Sequence, residues 1–239
     1  MFGLGTIINC SAIIIAGIAG MLFGNHLKDS MQDTLMKADG VAVIFIGIAG
    51  ALSKMLVIKG GTIDTTGTMM MIISLSLGAI VGEMLDLDGK MIHFGEWLKI
   101  KTGNAKDKKF VDGFVTASLT VCIGAMAVVG SIEDGIHADH SILFAKAILD
   151  FVIILVMSAT LGKGCLFSFV PVGLFQGTIT LLSSMISPYI TASAMSALSF
   201  IGSILIFCVG VNLVFNTKIR VANLLPALIV ACICTVFQL

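Results

Sequence analysis

The chain is organised as a series of apolar stretches about twenty residues long, and these stretches restrict the folds that are open to it. A helix needs about 20 mostly apolar residues to cross a bilayer. Only 12% of the residues are charged, against roughly 25% in soluble domains. The sequence therefore predicts an all-α polytopic membrane protein with about eight transmembrane helices in a single integral membrane domain, residues 1–239. The predicted spans are residues 4–24, 41–58, 67–86, 111–130, 142–162, 166–187, 192–215 and 221–238.

Two connections between the spans are long enough to have structure of their own. Residues 25–39 and 88–109 both carry apolar residues at helical spacing, and in the second connection Met91, Phe94 and Leu98 share one face. This pattern is typical of short amphipathic helices at a membrane surface. We therefore expect two such helices outside the spans.

Basic residues predict the orientation of the spans. If the connection 88–109 is cytoplasmic, alternation leaves only Lys59 on the outer side, with Lys54 and Lys146 inside spans. This distribution follows the positive-inside rule, places both termini outside and makes the acidic loop 132–140 extracytoplasmic. The residues on the inner side are Lys28, Lys37, Lys90, Lys99, Lys101, Lys106, Lys108, Lys109, Lys163, Lys218 and Arg220.

Two segments of the chain resemble each other. Residues 40–47 and 202–210 are similar apolar runs bounded by glycine, and the predicted topology makes them cross the bilayer in opposite directions. Inverted repeats are common in secondary transporters, whose binding sites lie near the bilayer midplane. We therefore predict a 3+3 inverted repeat with halves 1–87 and 163–239 around a central helix pair, residues 111–162.

Lys146 and Asp150 are charged residues within an apolar span, and Asp150 lies near its middle. A lone charge at that depth costs about 2.5–3.5 kcal/mol on insertion scales. The spacing of four places both side chains on one helix face, where they can form an ion pair. We interpret them as an ion, proton or solute site; the alternative is a structural ion pair between helices.

The sixth predicted span contains a buried polar residue and two residues that interrupt helices. Gln176 lies near its centre, Pro171 removes a backbone donor, and Gly177 can admit a neighbouring helix. Together they predict a kinked or broken helix that exposes polar backbone, as transporter sites often do. A Pro kink with no site is the alternative.

Two asparagines complete the predicted site. Asn223 and Pro226 open the last span, either as a simple helix start or as a second broken helix. Asn9 lies inside the first span, where it can bind a ligand or form a hydrogen bond between helices.

The remaining residues favour neither catalysis nor a cofactor. The segment 133–140 contains acidic residues and histidines without the spacing of a metal site, so we interpret it as a solvated loop and predict no metal. The sequence has no nucleotide-binding or nucleophile-elbow motif, so we predict no enzyme and no cofactor. Its 14 basic and 14 acidic residues form no basic face, which argues against a nucleic-acid partner. Its six cysteines lie in apolar runs, where they look like packing residues.

Several blocks resemble a bacterial family of membrane proteins of unknown function, which includes YdfK and YqgA. They are Gly130-Ser-Ile-Glu-Asp-Gly135, Ala145-Lys146-x-x-Leu-Asp150, Gln176-Gly177 and Val221-Ala-Asn223-Leu-Leu-Pro-Ala. The resemblance covers essentially the whole chain. It implies a multi-pass protein of the bacterial cytoplasmic (inner) membrane with a role in transport, and it supplies no substrate or mechanism.

Together these features predict a secondary transporter or channel for a small solute or ion. Its midplane site would contain Lys146, Asp150 and Gln176, with Asn9 and Asn223 nearby. The alternative is a membrane scaffold or sensor that signals through the connection 88–109. Short glycine-rich spans also favour a homo-oligomer.

Overall fold

A computed structural model of the chain describes residues 3–24, 28–122, 125–186 and 191–236, so the predicted span ends at 187 and 238 lie outside it. In chain order the elements are α1 (Leu4–Gly24), α2 (Asp29–Met55), β1 (Leu56–Lys59), β2 (Thr62–Thr65), α3 (Thr68–Leu85), α4 (Leu87–Lys101), α5 (Phe110–Cys122), α6 (Ala125–Ile136), α7 (Ser141–Leu161), a first 3-10 segment (Lys163–Ser168), α8 (Phe169–Leu181), α9 (Ser183–Ile186), α10 (Ala192–Phe215), a second 3-10 segment (Val221–Leu224) and α11 (Pro226–Val236).

The chain forms two compact units. Unit 1 comprises Met1–Asp39 and Met91–Tyr189, and unit 2 comprises Gly40–Lys90 and Ile190–Leu239. Both halves of the predicted repeat contribute to each unit.

The helical membrane fold that the sequence predicts is present. In the described part of the chain, six helices are long and apolar enough to cross a membrane, and counting the bent pair α5–α6 as one span gives seven. The segment Val221–Val236 is apolar but shorter. Many large apolar side chains are exposed, among them Phe23, Ile148 and Leu174, each more than 60% exposed. A helical membrane protein presents such side chains to lipid.

Helix α2 differs from the prediction because it is continuous. The predicted surface helix 25–39 and span 41–58 are instead parts of one helix, Asp29–Met55. Gly40, at the predicted boundary, does not interrupt it: a Cβ there would lie 2.7 Å from Val214 Cγ2, so the glycine allows close packing against α10.

A β-hairpin is the departure from the all-α prediction. Strands β1 and β2 pair antiparallel, with Ile58 opposite Ile63. The connecting residues Gly60 and Gly61 have φ values of 58° and 81°, the left-handed conformation that a two-residue hairpin turn needs. Because Leu56-Val-Ile is a β-forming run, the predicted span loses its last residues to this strand.

The predicted span 111–130 is two helices rather than one. Helices α5 and α6 are bent by 63° across a short break. The predicted outer loop 132–140 is also shorter, because α6 continues to Ile136. Val121, in the last turn of α5, is buried inside unit 1.

Helix α1 is the centre of unit 1. It runs parallel to α7, with Gly5 beside Leu143 and Gly24 beside Ala159. Gly20 faces the carbonyl of Leu155, so the two backbones are in direct contact, as the small-residue spacing Gly20-x-x-x-Gly24 predicts. The core between the helices contains Ile13, Ala16, Ala117, Val121, Ile154, Met157, Cys165 and Val172.

Three other pairs of segments pack in antiparallel orientation, unlike α1 and α7. In unit 1, the Cys10 thiol of α1 lies 3.6 Å from the carbonyl oxygen of Phe169, while Gly17 faces Leu166. In unit 2, α2 packs against α10, with Gly40 beside Leu213 and Gly50 beside Ser203. Also in unit 2, α3 packs against the start of the last span, with Gly78 beside Ala227 and Gly82 beside Asn223.

Candidate functional site

Helix α7 turns one face inward, and both of its charged residues are on that face. Leu143, Lys146, Asp150, Ile154 and Met157 recur every three or four residues and are buried, as helical periodicity requires. Lys146 is 6% exposed and Asp150 is 3% exposed. Their Nζ and Oδ2 atoms are 2.5 Å apart, so the sequence-predicted ion pair forms inside unit 1.

Two other elements of unit 1 contact this pair. The Asn9 amide of α1, which is fully buried, donates to Asp150 Oδ2 at 3.0 Å. The Lys146 ammonium donates to the backbone carbonyl of Val121 at 2.7 Å. Val121 is in the last turn of α5, where carbonyl groups lack partners within their own helix. The ammonium therefore lies between a carboxylate and the negative end of a broken helix.

Gln176 is buried in unit 1 at 1% exposure, on a stripe of α8 that also contains Val172 and Thr180. Its Oε1 atom has no hydrogen-bond partner among the described residues, nor has Asn9 Oδ1. The structure provides no direct bond from Gln176 to the ion pair.

Other buried side-chain oxygens without a partner are concentrated in the same unit. A polar atom buried in this way is costly unless a water, an ion or a ligand reaches it. Within the described residues they include Thr6, Ser118, Ser131, Ser168 and Thr180 in unit 1, against Ser74 in unit 2. In the described part of the chain, most buried oxygens without a partner therefore lie in unit 1.

The predicted helix breaks have different outcomes. A 3-10 segment precedes α8 and another precedes α11, so irregular backbone does open the sixth and eighth predicted spans. Pro171 lies in the first turn of α8 and Pro226 is the first residue of α11, both positions where proline is tolerated. Gly177 breaks nothing: α8 is continuous there, and no described atom lies within 4 Å of a Cβ built on it.

Asn223 belongs to a second polar cluster, in unit 2. Its amide nitrogen donates to Glu83 Oε2 at 2.6 Å, and its Oδ1 accepts the backbone N–H of Asp88 at 2.7 Å. Arg220 donates to Glu83 Oε1 at 2.6 Å. Burial raises the pKa of the Asp88 carboxyl, an effect that Arg220 opposes and the Asp86 carboxylate reinforces. Asn223 thus connects the end of α3 to the start of α4.

We expect Asn223→Ala to destabilise the protein more than Arg220→Ala. Asn223 is 3% exposed, and its loss removes two hydrogen bonds, to Glu83 and to the Asp88 N–H, together with buried packing, at a cost of about 2 kcal/mol. The Arg220–Glu83 pair is more than half exposed on both sides, so its contribution is below about 1 kcal/mol. Thermal unfolding of the two variants in detergent checks the order, and equal losses would contradict it.

Asp134 is a buried residue whose environment we predicted wrongly from the sequence. We predicted a solvated loop over 133–140, but Asp134 is fully buried. Its Oδ2 accepts the N–H of Gly5 in the first turn of α1 at 3.0 Å, and its Oδ1 is 2.8 Å from His140 Nδ1. A carboxylate in this position stabilises a helix N-terminus. The residue spacing carries no signal of this contact, because Gly5 is distant in sequence.

Two curated relatives match almost the full chain. One is the uncharacterized membrane protein YdfK of Bacillus subtilis (strain 168), 29% identical over 227 residues, which cover 95% of this chain and 93% of the relative. The other is the uncharacterized protein YqgA of Escherichia coli (strain K12), 26% identical over 232 residues, which cover 95% of this chain and 94% of the relative.

These matches confirm the resemblance that the sequence blocks indicate. No solved structure gives a significant match to the chain. The family model described as protein of unknown function DUF554 matches residues 4–236. The chain therefore belongs to the DUF554 family of membrane proteins.

Proposed function

We propose that this protein is a secondary transporter or channel for a small solute or ion, and that it is not an enzyme. The observation that carries the proposal is the buried Lys146–Asp150 pair, held by Asn9 and by the carbonyl end of α5. Ionisable residues inside membrane spans usually mark substrate, ion or proton pathways. Gln176 and the unpaired oxygens of unit 1 supply further polar groups to this path.

The packing of the helices supports a 3+3 inverted repeat. Spans one, two and three correspond to spans six, seven and eight, and each packs antiparallel against its counterpart: α1 with the first 3-10 segment and α8, α2 with α10, and α3 with the last span. Inverted repeats cross the membrane in opposite directions, so antiparallel packing of counterparts within each unit agrees with this arrangement. Inverted repeats of this kind underlie alternating access in many transporters.

The same repeat favours eight spans, and we further propose that they lie in the bacterial inner membrane. Six long helices, the bent pair α5–α6 and the segment Val221–Val236 together make eight crossings. With the segment 88–109 in the cytoplasm, eleven basic residues would lie inside and Lys59 outside, in agreement with the positive-inside rule, and both termini would lie outside. Association into a homo-oligomer stays a prediction.

The experiment that tests the function is a ligand screen followed by Asp150→Asn. A solute at 100 times its dissociation constant adds about 2.7 kcal/mol to the stability of the protein that binds it. We expect one class of small solute or ion to stabilise the purified protein and to drive uptake into proteoliposomes. Asp150→Asn should abolish both effects and stay folded. Undiminished uptake by that variant would remove Asp150 from the mechanism.

A further inference from the structure

The ion pair of α7 has the surroundings of a cation site. Asp150 supplies a carboxylate oxygen, and Val121 supplies a carbonyl oxygen from the end of a broken helix. Carboxylate and carbonyl oxygens are the ligands of hard cations, and transporters with broken helices use helix C-termini in this role. Asn9 binds the same carboxylate oxygen, and its own Oδ1 is buried without a partner among the described residues. The cation in the centre is the Lys146 ammonium.

We propose that Lys146 is the resident, tethered cation of an oxygen-lined site formed by Asp150 and the Val121 carbonyl, with the Asn9 amide holding the carboxylate in place. In the native chain the ammonium occupies the position that a free monovalent cation would take. Removing it creates a binding site for a small alkylammonium or monovalent metal ion. A consequence for the mechanism, which rests on the proposed transport function, is that no free sodium or potassium ion binds at this site during transport.

The charge of Asp150 is the physical reason for the created site. A carboxylate that is 3% exposed must be protonated or balanced by a positive charge, because an isolated buried charge is strongly unfavourable. In Lys146→Ala the missing atoms beyond Cβ correspond to n-propylammonium. This cation should therefore restore both the volume and the charge that the substitution removes.

The test is chemical rescue, followed by thermal unfolding of the purified protein. Measurements at alkaline pH and constant ionic strength, with N-methylglucamine chloride as the baseline salt, keep the carboxylate charged. We expect n-propylammonium to raise the unfolding midpoint of Lys146→Ala by about 5 °C and to leave the native protein unchanged. The matched control, Lys146→Ala with Asp150→Asn, should lose the rescue. An equal rise in the native protein or in the control would overturn the proposal, as would no rise in Lys146→Ala.

A second variant covers the case in which Lys146→Ala does not fold. In Lys146→Met the thioether side chain fills the space of the lysine methylene groups. Only the space of the ammonium group is then left empty. Ammonium or sodium should then stabilise Lys146→Met more than they stabilise the native protein. Equal stabilisation of the two proteins would overturn the proposal.

Flux measurements separate this inference from the proposed function. Rescue without any solute uptake by the native protein would leave the cation site intact and contradict transport. Solute uptake together with a stabilisation of the native protein by sodium or potassium that Asp150→Asn abolishes would leave transport intact and contradict the role of Lys146 as the resident cation.

Discussion

Replacing Asp150 alone with leucine should lower the free energy of unfolding by about 3–5 kcal/mol, whereas replacing Lys146 with methionine at the same time should restore most of that loss. The Lys146 ammonium makes two charge-assisted hydrogen bonds, to Asp150 and to the Val121 carbonyl. The single substitution leaves it buried with only the second of these bonds. The double substitution removes both charges and fills the space with apolar atoms; the Asn9 amide and the Val121 carbonyl that it leaves unpaired account for the part of the loss that is not restored. Thermal unfolding of both variants in the same detergent measures the difference.

The exposed pair Asp33–Lys37 is a matched control. It has the same spacing of four residues and an Nζ–Oδ2 distance of 2.7 Å, but both side chains are 54% exposed. Asp33→Leu should therefore cost less than about 1 kcal/mol. If Asp33→Leu and Asp150→Leu were equally destabilising, burial would not be the source of the effect. If the double substitution were as unstable as Asp150→Leu, the two charges would not act as a pair.

Gly82→Val should disrupt the packing of unit 2 and cost about 3 kcal/mol. A Cβ on Gly82 would overlap the backbone carbonyl of Asn223, and a backbone atom is unable to move aside as a flexible side chain does. The substitution would also separate Glu83 from the Asn223 amide. We expect a lower unfolding midpoint and a smaller yield of monodisperse protein.

Gly177→Ala is the control for the glycine substitution. Gly177 lies within α8, and a Cβ there would meet no described atom within 4 Å. Alanine in a helix interior is more stable than glycine by roughly 0.5–1 kcal/mol, so this variant should be neutral or slightly stabilised. Destabilisation by Gly177→Ala as large as that by Gly82→Val would contradict the packing described for α8.

Local sequence signals predicted the helices and the ion pair well. Helix α1 begins and ends where its apolar stretch does, and the spacing of Lys146 and Asp150 fixes their common face because α7 is regular. The spacing Gly20-x-x-x-Gly24 in α1 likewise predicts close helix contact. These features depend on residues within a few turns of one another.

Features that depend on distant residues could not be predicted in the same way. Val121 contributes a backbone carbonyl, which every residue type has, so no sequence signal distinguishes it. Asp134 was misread because burial depends on its contact with Gly5. The continuity of α2 past Gly40 depends on packing against Leu213 and Val214, which are distant in the chain.

The most direct test of the central claim is solute binding and uptake by the double variant Lys146→Met/Asp150→Leu. Because both charges are removed together, we expect this variant to fold. A loss of function in the folded variant could then not be explained by instability. If the pair forms the transport site, the variant should unfold near the native midpoint, gain no stability from the solute that stabilises the native protein, and take up none of it into proteoliposomes. If the variant binds and transports that solute as the native protein does, the pair only joins helices, and the proposed site is wrong.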